Sequence, residues 1–436
     1  MNIKNMSKTI QSFFTEIADK SAKIEKFVQR KSKLSGSIFL QMFVLGLLRN
    51  PKASLNDLSE FSEEHFGINI TSQGIDERIN KHALSFVKVM FNKAICLFQH
   101  LNSIPLPILS QFSAINITDS TVITLPETLA DEFPGSGGSA SKSALKLQLI
   151  FDFLSGCFKT ITITDGISPD QRYKQHIDKA EPNSLNIFDL GYFAVEQLKN
   201  FIDKGAYFLC RLLQGTKIYM LDGTNINLLN LLKSEIRNSF ELECCLGKIR
   251  LKCRMCCFRV PEATANLRRR KTIKQMAKKG RIPTKEYLEL QNWSIFVTNI
   301  PVTILSIKHI GLFYSVRWQI ELIFKLWKSH MLIHVISGFR KERILIELYS
   351  KLIGLILFQF IMVPLRNQYI DLSPEKAFKK FVKKIEPFLD AIHVLKQLSK
   401  QLERIYLAIL KFGRREKRKN RFSTSYNLLL ELNYYA

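Results

Sequence analysis

The segment Tyr314-Ser-Val-Arg317-Trp-Gln-Ile-Glu321-Leu-Ile-Phe-Lys-Leu-Trp-Lys328 carries the strongest chemical signal in this chain. At about 100° per residue, a helix would hold Tyr314, Arg317, Glu321 and Lys328 within roughly 60° of one another. Ile320, Ile323, Phe324 and Trp327 then form the adjacent apolar stripe. A carboxylate set among Tyr, Arg and Lys suits a site that holds a metal ion and a phosphate. The plainer reading is a helix whose Arg317 and Glu321, four residues apart, make an ordinary surface ion pair. Two more acids stand where strands should end: Asp119 after Ile115-Asn-Ile-Thr, and Asp189 after Leu185-Asn-Ile-Phe. Open α/β sheets bind ligands at that carboxyl edge. Either Asp alone is more often a turn cap, and Asp152, Asp165 and Asp170 compete locally.

The elements that must position these residues read as follows. Residues 1 to about 105 are helical, with apolar residues at three and four spacing through Ile38–Leu48 and Phe86–Phe98, closed by Pro105 and Pro107. Within them, a helix starting at Ser54, a turn at Gly67 and a second helix capped by Thr71 or Ser72 have the layout of a helix-turn-helix or of an ordinary helical hairpin. From Ala114 the texture turns to strands: 114–118, 145–149, 158–164, 185–188 and, after a helix near 193–204, 206–213. Residues 214–290 interrupt this with short β-like pieces and a basic helix. The pattern resumes at Trp293–Thr298, followed by one long amphipathic helix from about Ser306 to Lys328. The expected fold class is α/β, a mixed sheet flanked by helices and interrupted by a β-rich insertion, with helical N- and C-terminal regions.

Here the motifs resemble a known family. The spacing Tyr, two residues, Arg, three, Glu, six, Lys is similar to the signature of transposases from bacterial insertion sequences of family four, and Tyr314, Arg317, Glu321 and Lys328 reproduce all four positions. Asp119 in Ile117-Thr-Asp-Ser-Thr looks like that family's first acid, and Asp189 in Phe188-Asp-Leu-Gly-Tyr like its second. The 132-residue step from Asp189 to Glu321 leaves room for the family's β-rich insertion. The resemblance implies an RNase H-like catalytic domain. It also implies that Asp119, Asp189 and Glu321 hold two Mg²⁺ ions, with Mn²⁺ able to substitute. Such a site activates the attacking oxygen and stabilises the leaving one in an in-line displacement. Water would nick the transposon end and the freed 3′-hydroxyl would attack target DNA. Tyr314, Arg317 and Lys328 would contact DNA. Trp293 occupies the position of a tryptophan that stacks on a flipped base in hairpin-forming relatives; a Trp opening a strand is otherwise a core residue. Leu190 departs from the pattern, since many relatives place Arg there.

Charge agrees with a polyanionic partner. Lys and Arg number 64 against 38 Asp and Glu, a surplus of 26. Arg268, Arg269, Arg270 and Lys271 open a stretch with eight basic residues in fourteen, ending at Arg281, which could track phosphates or be a solvated helix face. The basic run Arg414–Arg421 reads as a solvated face or tail. Five of eight cysteines crowd between Cys244 and Cys257, but their spacing matches no standard zinc site, and reduced thiols are expected. Gly135-Ser-Gly-Gly-Ser lacks the Lys of a phosphate-binding loop. The longest uncharged apolar run, Leu352–Leu365, is only about 14 residues and the N-terminus has no signal-type core, so no membrane association is expected and a cytoplasmic, nucleoid-associated location is.

The expected domains are 1–108, helical and DNA-end-binding; 109–213, the first part of the catalytic domain; 214–290, the insertion; 291–335, its second part; and 336–436, helical with a basic tail. The expected function is cut-and-paste DNA transposition by a homodimer. The competing readings are a nuclease without strand transfer and a decayed transposase that only binds DNA as a repressor.

Overall fold

A computed structural model describes residues 2–30, 33–99, 108–138, 141–369 and 371–415. Pro105, Pro107 and residues 416–421 of the basic run lie outside the described residues. Nine strands follow in chain order: β1 Ile115–Thr124, β2 Ala144–Asp152, β3 Cys157–Asp165, β4 Leu185–Phe188, β5 Tyr207–Arg211, β6 Ile218–Tyr219, β7 Ser239–Leu246, β8 Leu251–Arg259 and β9 Trp293–Thr298. They form one mixed sheet in the order β3-β2-β1-β4-β5-β9-β8-β7-β6. With helices before, between and after them, the α/β fold expected from the sequence is the fold observed.

The described residues divide into two compact units, 2–99 with 120–168 and 319–415, and 108–119 with 169–318. In the first, the long helix Lys341–Gln368 packs against the helices Gly36–Arg49 and Lys81–Leu97. The fit is close, because a Cβ at Gly354 would meet Leu48 Cγ at 2.9 Å. The long helix contains a span apolar and long enough to cross a membrane, but 94% of that span is buried inside the fold, which makes it a core helix. The Ser54 reading holds: Ser54 and Asp57 form a capping box at the start of Leu55–Phe66, and Gly67 ends it at φ 62°. Thr71 caps Ser72–Arg78 through the Gly74 amide. The hairpin of β2 and β3 completes this unit.

In the second unit, β1, β4 and β5 run parallel, and β9, β8, β7 and β6 continue the sheet antiparallel. The β-rich insertion therefore extends the sheet through β9, rather than building a sheet of its own. Two buried asparagines tie the parallel part: Asn116 Nδ2 donates to Asn186 Oδ1 at 3.0 Å, and Asn186 Nδ2 to the Tyr207 carbonyl at 3.0 Å. Each gives a polar group in the core a partner, which its burial demands.

Candidate active site

Parallel pairing sets the first two acids side by side. The β1–β4 register ends with Thr118 opposite Phe188, so Asp119 and Asp189 come next on neighbouring strands about 4.8 Å apart. Asp119 does not end its strand, as the sequence reading had it. β1 continues to Thr124, and it is the ladder with β4 that stops before Asp119. Asp189 leaves β4 directly and precedes the short 3₁₀ turn Leu190–Tyr192. The β4–β5 ladder ends with Ile187 opposite Leu209, two residues short of Asp189 and Arg211, and both of these charges act on the Tyr314 phenol. Arg211 escaped the sequence reading because an Arg closing an apolar strand looks like ordinary edge polarity. Its signal was the 22-residue step from Asp189, which only the register makes meaningful.

Two of the competing acids are accounted for locally. The Asp152 carboxylate accepts from the amides of Leu154 and Ser155 at 3.1 and 3.2 Å, and Asp165 accepts from the Ser168 amide and hydroxyl at 2.7 Å each. Both are turn caps.

The single helix expected over 306–328 is two helices, Ile307–Ser315 and Trp318–His330. The Val316 and Arg317 amides reach back only three residues, to the Phe313 and Tyr314 carbonyls at 3.1 Å each. This tightened turn interrupts the 100° phase between the two helices. In the second unit, Arg317 Nη1 lies 3.1 Å from Asp119 Oδ2, with the two side chains only 15% and 19% exposed. Tyr314 packs its ring on Phe296, 4.8 Å between centroids, and its buried hydroxyl has no hydrogen-bond partner among the described residues. Burial pushes the Tyr314 phenol well up, Asp189 adds to the rise, and Arg317 and Arg211 oppose it. A tyrosine, two arginines and two carboxylates thus meet at this sheet edge.

In the first unit, Glu321 lies in the first turn of Trp318–His330, a helix held down by buried Ile320, Phe324 and Trp327. The Trp327 ring meets Phe158 of β3 edge to face at 5.5 Å. Lys328 Nζ donates to the Val122 carbonyl of β1 at 3.4 Å, and its partial burial lowers its pKa.

The remaining sequence-named residues lie along the insertion. Trp293 is 6% exposed, against Phe240 at 5.8 Å, with the Arg259 guanidinium 4.6 Å over its ring. Arg268 donates to the Trp293 carbonyl at 3.3 Å and to Ser294 Oγ at 3.0 Å, and Arg269 to Asn292 Oδ1 at 2.5 Å. Arg270 and Lys271, on the same helix Glu262–Ala277, are exposed.

Asp119 and Asp189 supply hard oxygen donors, which fit a divalent cation that takes its other ligands from water and phosphate. Among the described residues, no group of three His, Cys, Asp or Glu is gathered closely enough to hold a metal by itself. All eight cysteines are free; burial raises the thiols of Cys210, Cys256 and Cys257, and the hydrogen bond with Cys244, followed by burial, raises that of Cys253, all away from their reactive range.

Comparison with known proteins adds a family. Residues 110–357 match the model of the transposase DDE domain. The chain is 30% identical to the transposase for insertion sequence element IS231B of Bacillus thuringiensis subsp. berliner, over 94% of this chain and 91% of that one. It is 28% identical to the transposase for insertion sequence element IS1151 of Clostridium perfringens, over 98% and 96%.

Proposed function

The chain belongs to the transposase DDE-domain family, and from that premise we propose that it moves an insertion sequence of the family-four type by cutting DNA at the element's ends and joining them to a target. One observation carries the reading. Asp119 and Asp189 each follow the last paired residues of two adjacent parallel strands, Thr118 and Phe188, close to Arg317, Arg211 and a buried tyrosine hydroxyl. With Glu321 they form the proposed acid set, and Mg²⁺ is the proposed metal. A divalent ion bound there would supply Lewis-acid stabilisation of the phosphoryl oxygens during in-line attack.

The chain's own residues do the rest. The Arg317 guanidinium, always charged, suits the phosphate beside the scissile bond. Its pairing with Asp119 keeps both side chains in place before DNA arrives. Arg211 adds a second cation at the same edge. The Tyr314 hydroxyl, without a protein partner among the described residues, would donate to a phosphate oxygen. Lys328 and the exposed Arg270 and Lys271 would track backbone rather than read bases. Trp293 can stack on a flipped base only after Arg259 leaves its face. A homodimer acting on DNA in the cytoplasm completes the proposal, with residues 1–108 binding the transposon end.

The test is single-turnover nicking and strand transfer on an end duplex with Mg²⁺. Asp119→Ala, Asp189→Ala and Glu321→Ala should each abolish nicking and leave end binding within a few-fold. Substantial cleavage by any one removes that residue from the site. Nicking without joining of a pre-cut end would make the protein a nuclease, and binding without either reaction by the wild type would make it a repressor.

A further inference from the structure

A buried ion pair lies in the first unit. Glu347 and Lys351 sit four residues apart on the long helix Lys341–Gln368, 6% and 1% exposed, with Lys351 Nζ 2.7 Å from Glu347 Oε1. Two apolar side chains of the same size would serve stability as well or better, since taking both charges out of water costs about what their attraction returns. What methionine and leucine could not do is bond to backbone. Lys351 Nζ also donates to the carbonyls of Val335 and Leu332 at 2.9 and 3.4 Å, and Glu347 Oε2 accepts from the Ser337 amide at 3.2 Å.

Those three backbone groups belong to the turn that ends the Glu321 helix. The helix stops at His330. Leu332 then adopts a left-handed φ of 46°, which costs a non-glycine residue about 1 kcal/mol or more and persists only where neighbours enforce it. The Ile333 amide returns to the Trp327 carbonyl at 3.3 Å, closing the helix end, and the Val335 amide returns to Leu332 at 2.8 Å. The buried pair therefore grips a strained reversal whose far side is the last turn of the helix bearing Glu321 and Lys328. It gives a polar partner to carbonyls and an amide that no regular element satisfies.

We propose that Glu347 and Lys351 are positioning residues for the active site: they fix the rotation and axial setting of the helix Trp318–His330, and through it Glu321 and Lys328. The inference rests on the reading of Glu321 as a catalytic acid. A placement error near 1 Å in a phosphoryl-transfer site costs on the order of 100-fold in rate, so a small loosening of this turn would register in catalysis before it registers in folding.

The test uses the full chain and an end duplex. Lys351→Met alone leaves a buried carboxylate without its cation and can unfold the protein, so the deciding variant is Glu347→Leu with Lys351→Met. Four quantities are read: melting temperature, end-duplex affinity, single-turnover nicking against Mg²⁺ concentration, and amide hydrogen exchange without DNA or metal. The double variant should melt within about 5 °C of the wild type, because the gain from removing two buried charges is set against three backbone groups that lose a side-chain partner, and it should bind the duplex within about twofold. It should nick on the order of 10- to 100-fold more slowly, need more Mg²⁺ for half-maximal rate, and exchange faster only within 318–338. Wild-type nicking by the double variant overturns the proposal. A larger fall in melting temperature with faster exchange throughout the unit overturns it too, since the pair would then be a general stabiliser. Glu321→Gln run in parallel separates the two levels: if it nicks normally, the site reading fails, whereas an inactive Glu321→Gln beside a fully active double variant defeats positioning alone.

Discussion

Tyr314 holds its phenol in a buried place with no hydrogen-bond partner among the described residues, beside Asp189, Arg211 and Arg317. A buried hydroxyl without a partner is a net cost of about 1–3 kcal/mol, so a purely structural tyrosine here would be improved by losing it. Tyr314→Phe should therefore leave the melting temperature unchanged or raised. If the hydroxyl donates to a phosphate, the same change forfeits one charge-assisted bond, about 2 kcal/mol or roughly 30-fold in single-turnover nicking. Melting curves and nicking at saturating DNA decide it, and unaltered nicking returns Tyr314 to the core. At this scale the sequence was informative about type and less so about company. Asp119, Asp189 and Arg317 were legible as chemistry-bearing residues, yet the Arg317–Asp119 contact spans 198 positions and Arg211 acquires a role only through a strand register. Spacing along one chain carries no trace of either.

At the scale of elements, periodicity located the acid helix but not its break. A 3.6-residue pattern survives a single tightened turn almost unchanged, because the apolar stripe at Ile320, Phe324 and Trp327 resumes immediately after it. The four positions from Tyr314 to Lys328 thus fall on two helices and the turn between them, and Arg317, in that turn, pairs with Asp119 across the sheet edge. Outside the insertion, the strands other than β1 were read to within about three residues of their ends, because alternation is dictated by the two faces of a sheet; β7 and β8 were read only as short β-like pieces. What alternation could not give was the continuation of β1 past Asp119. The basic helix Glu262–Ala277 shows the same limit: four adjacent cations look equivalent in sequence, but two of them hold the helix to the start of β9. Arg268→Ala should lower stability by about 1–2 kcal/mol through the lost bonds to Trp293 and Ser294. It should leave the salt dependence of DNA binding nearly unchanged. Arg270→Ala and Lys271→Ala should each leave stability alone and lower the magnitude of the salt slope by about one. Titrations at several salt concentrations beside thermal melts separate the pairs; a slope unaffected by Arg270→Ala and Lys271→Ala would make this a solvated helix face.

For the whole molecule, the surplus of 26 positive charges gives attraction to any duplex and no means of telling an end from other DNA. Correct cutting must then come from assembly as much as from contact. Each chain carries one Asp119, Asp189 and Glu321, whereas an element has two ends to cut and join. If each end is processed by its own acid set, the working unit holds two chains, related by the twofold symmetry most homodimers adopt. Mixing wild type with Glu321→Gln before adding end DNA tests this without knowing the interface. With free exchange of subunits in an equal mixture, about a quarter of the pairs contain two competent sites and about half contain one. Joint insertion of both ends should then fall to about a quarter of the wild-type yield, while nicking of single ends falls only to about half. The curve of joint insertion against wild-type fraction should be a square. A straight line instead would mean that one acid set serves both ends in turn, and the two-chain assembly would have to be given up.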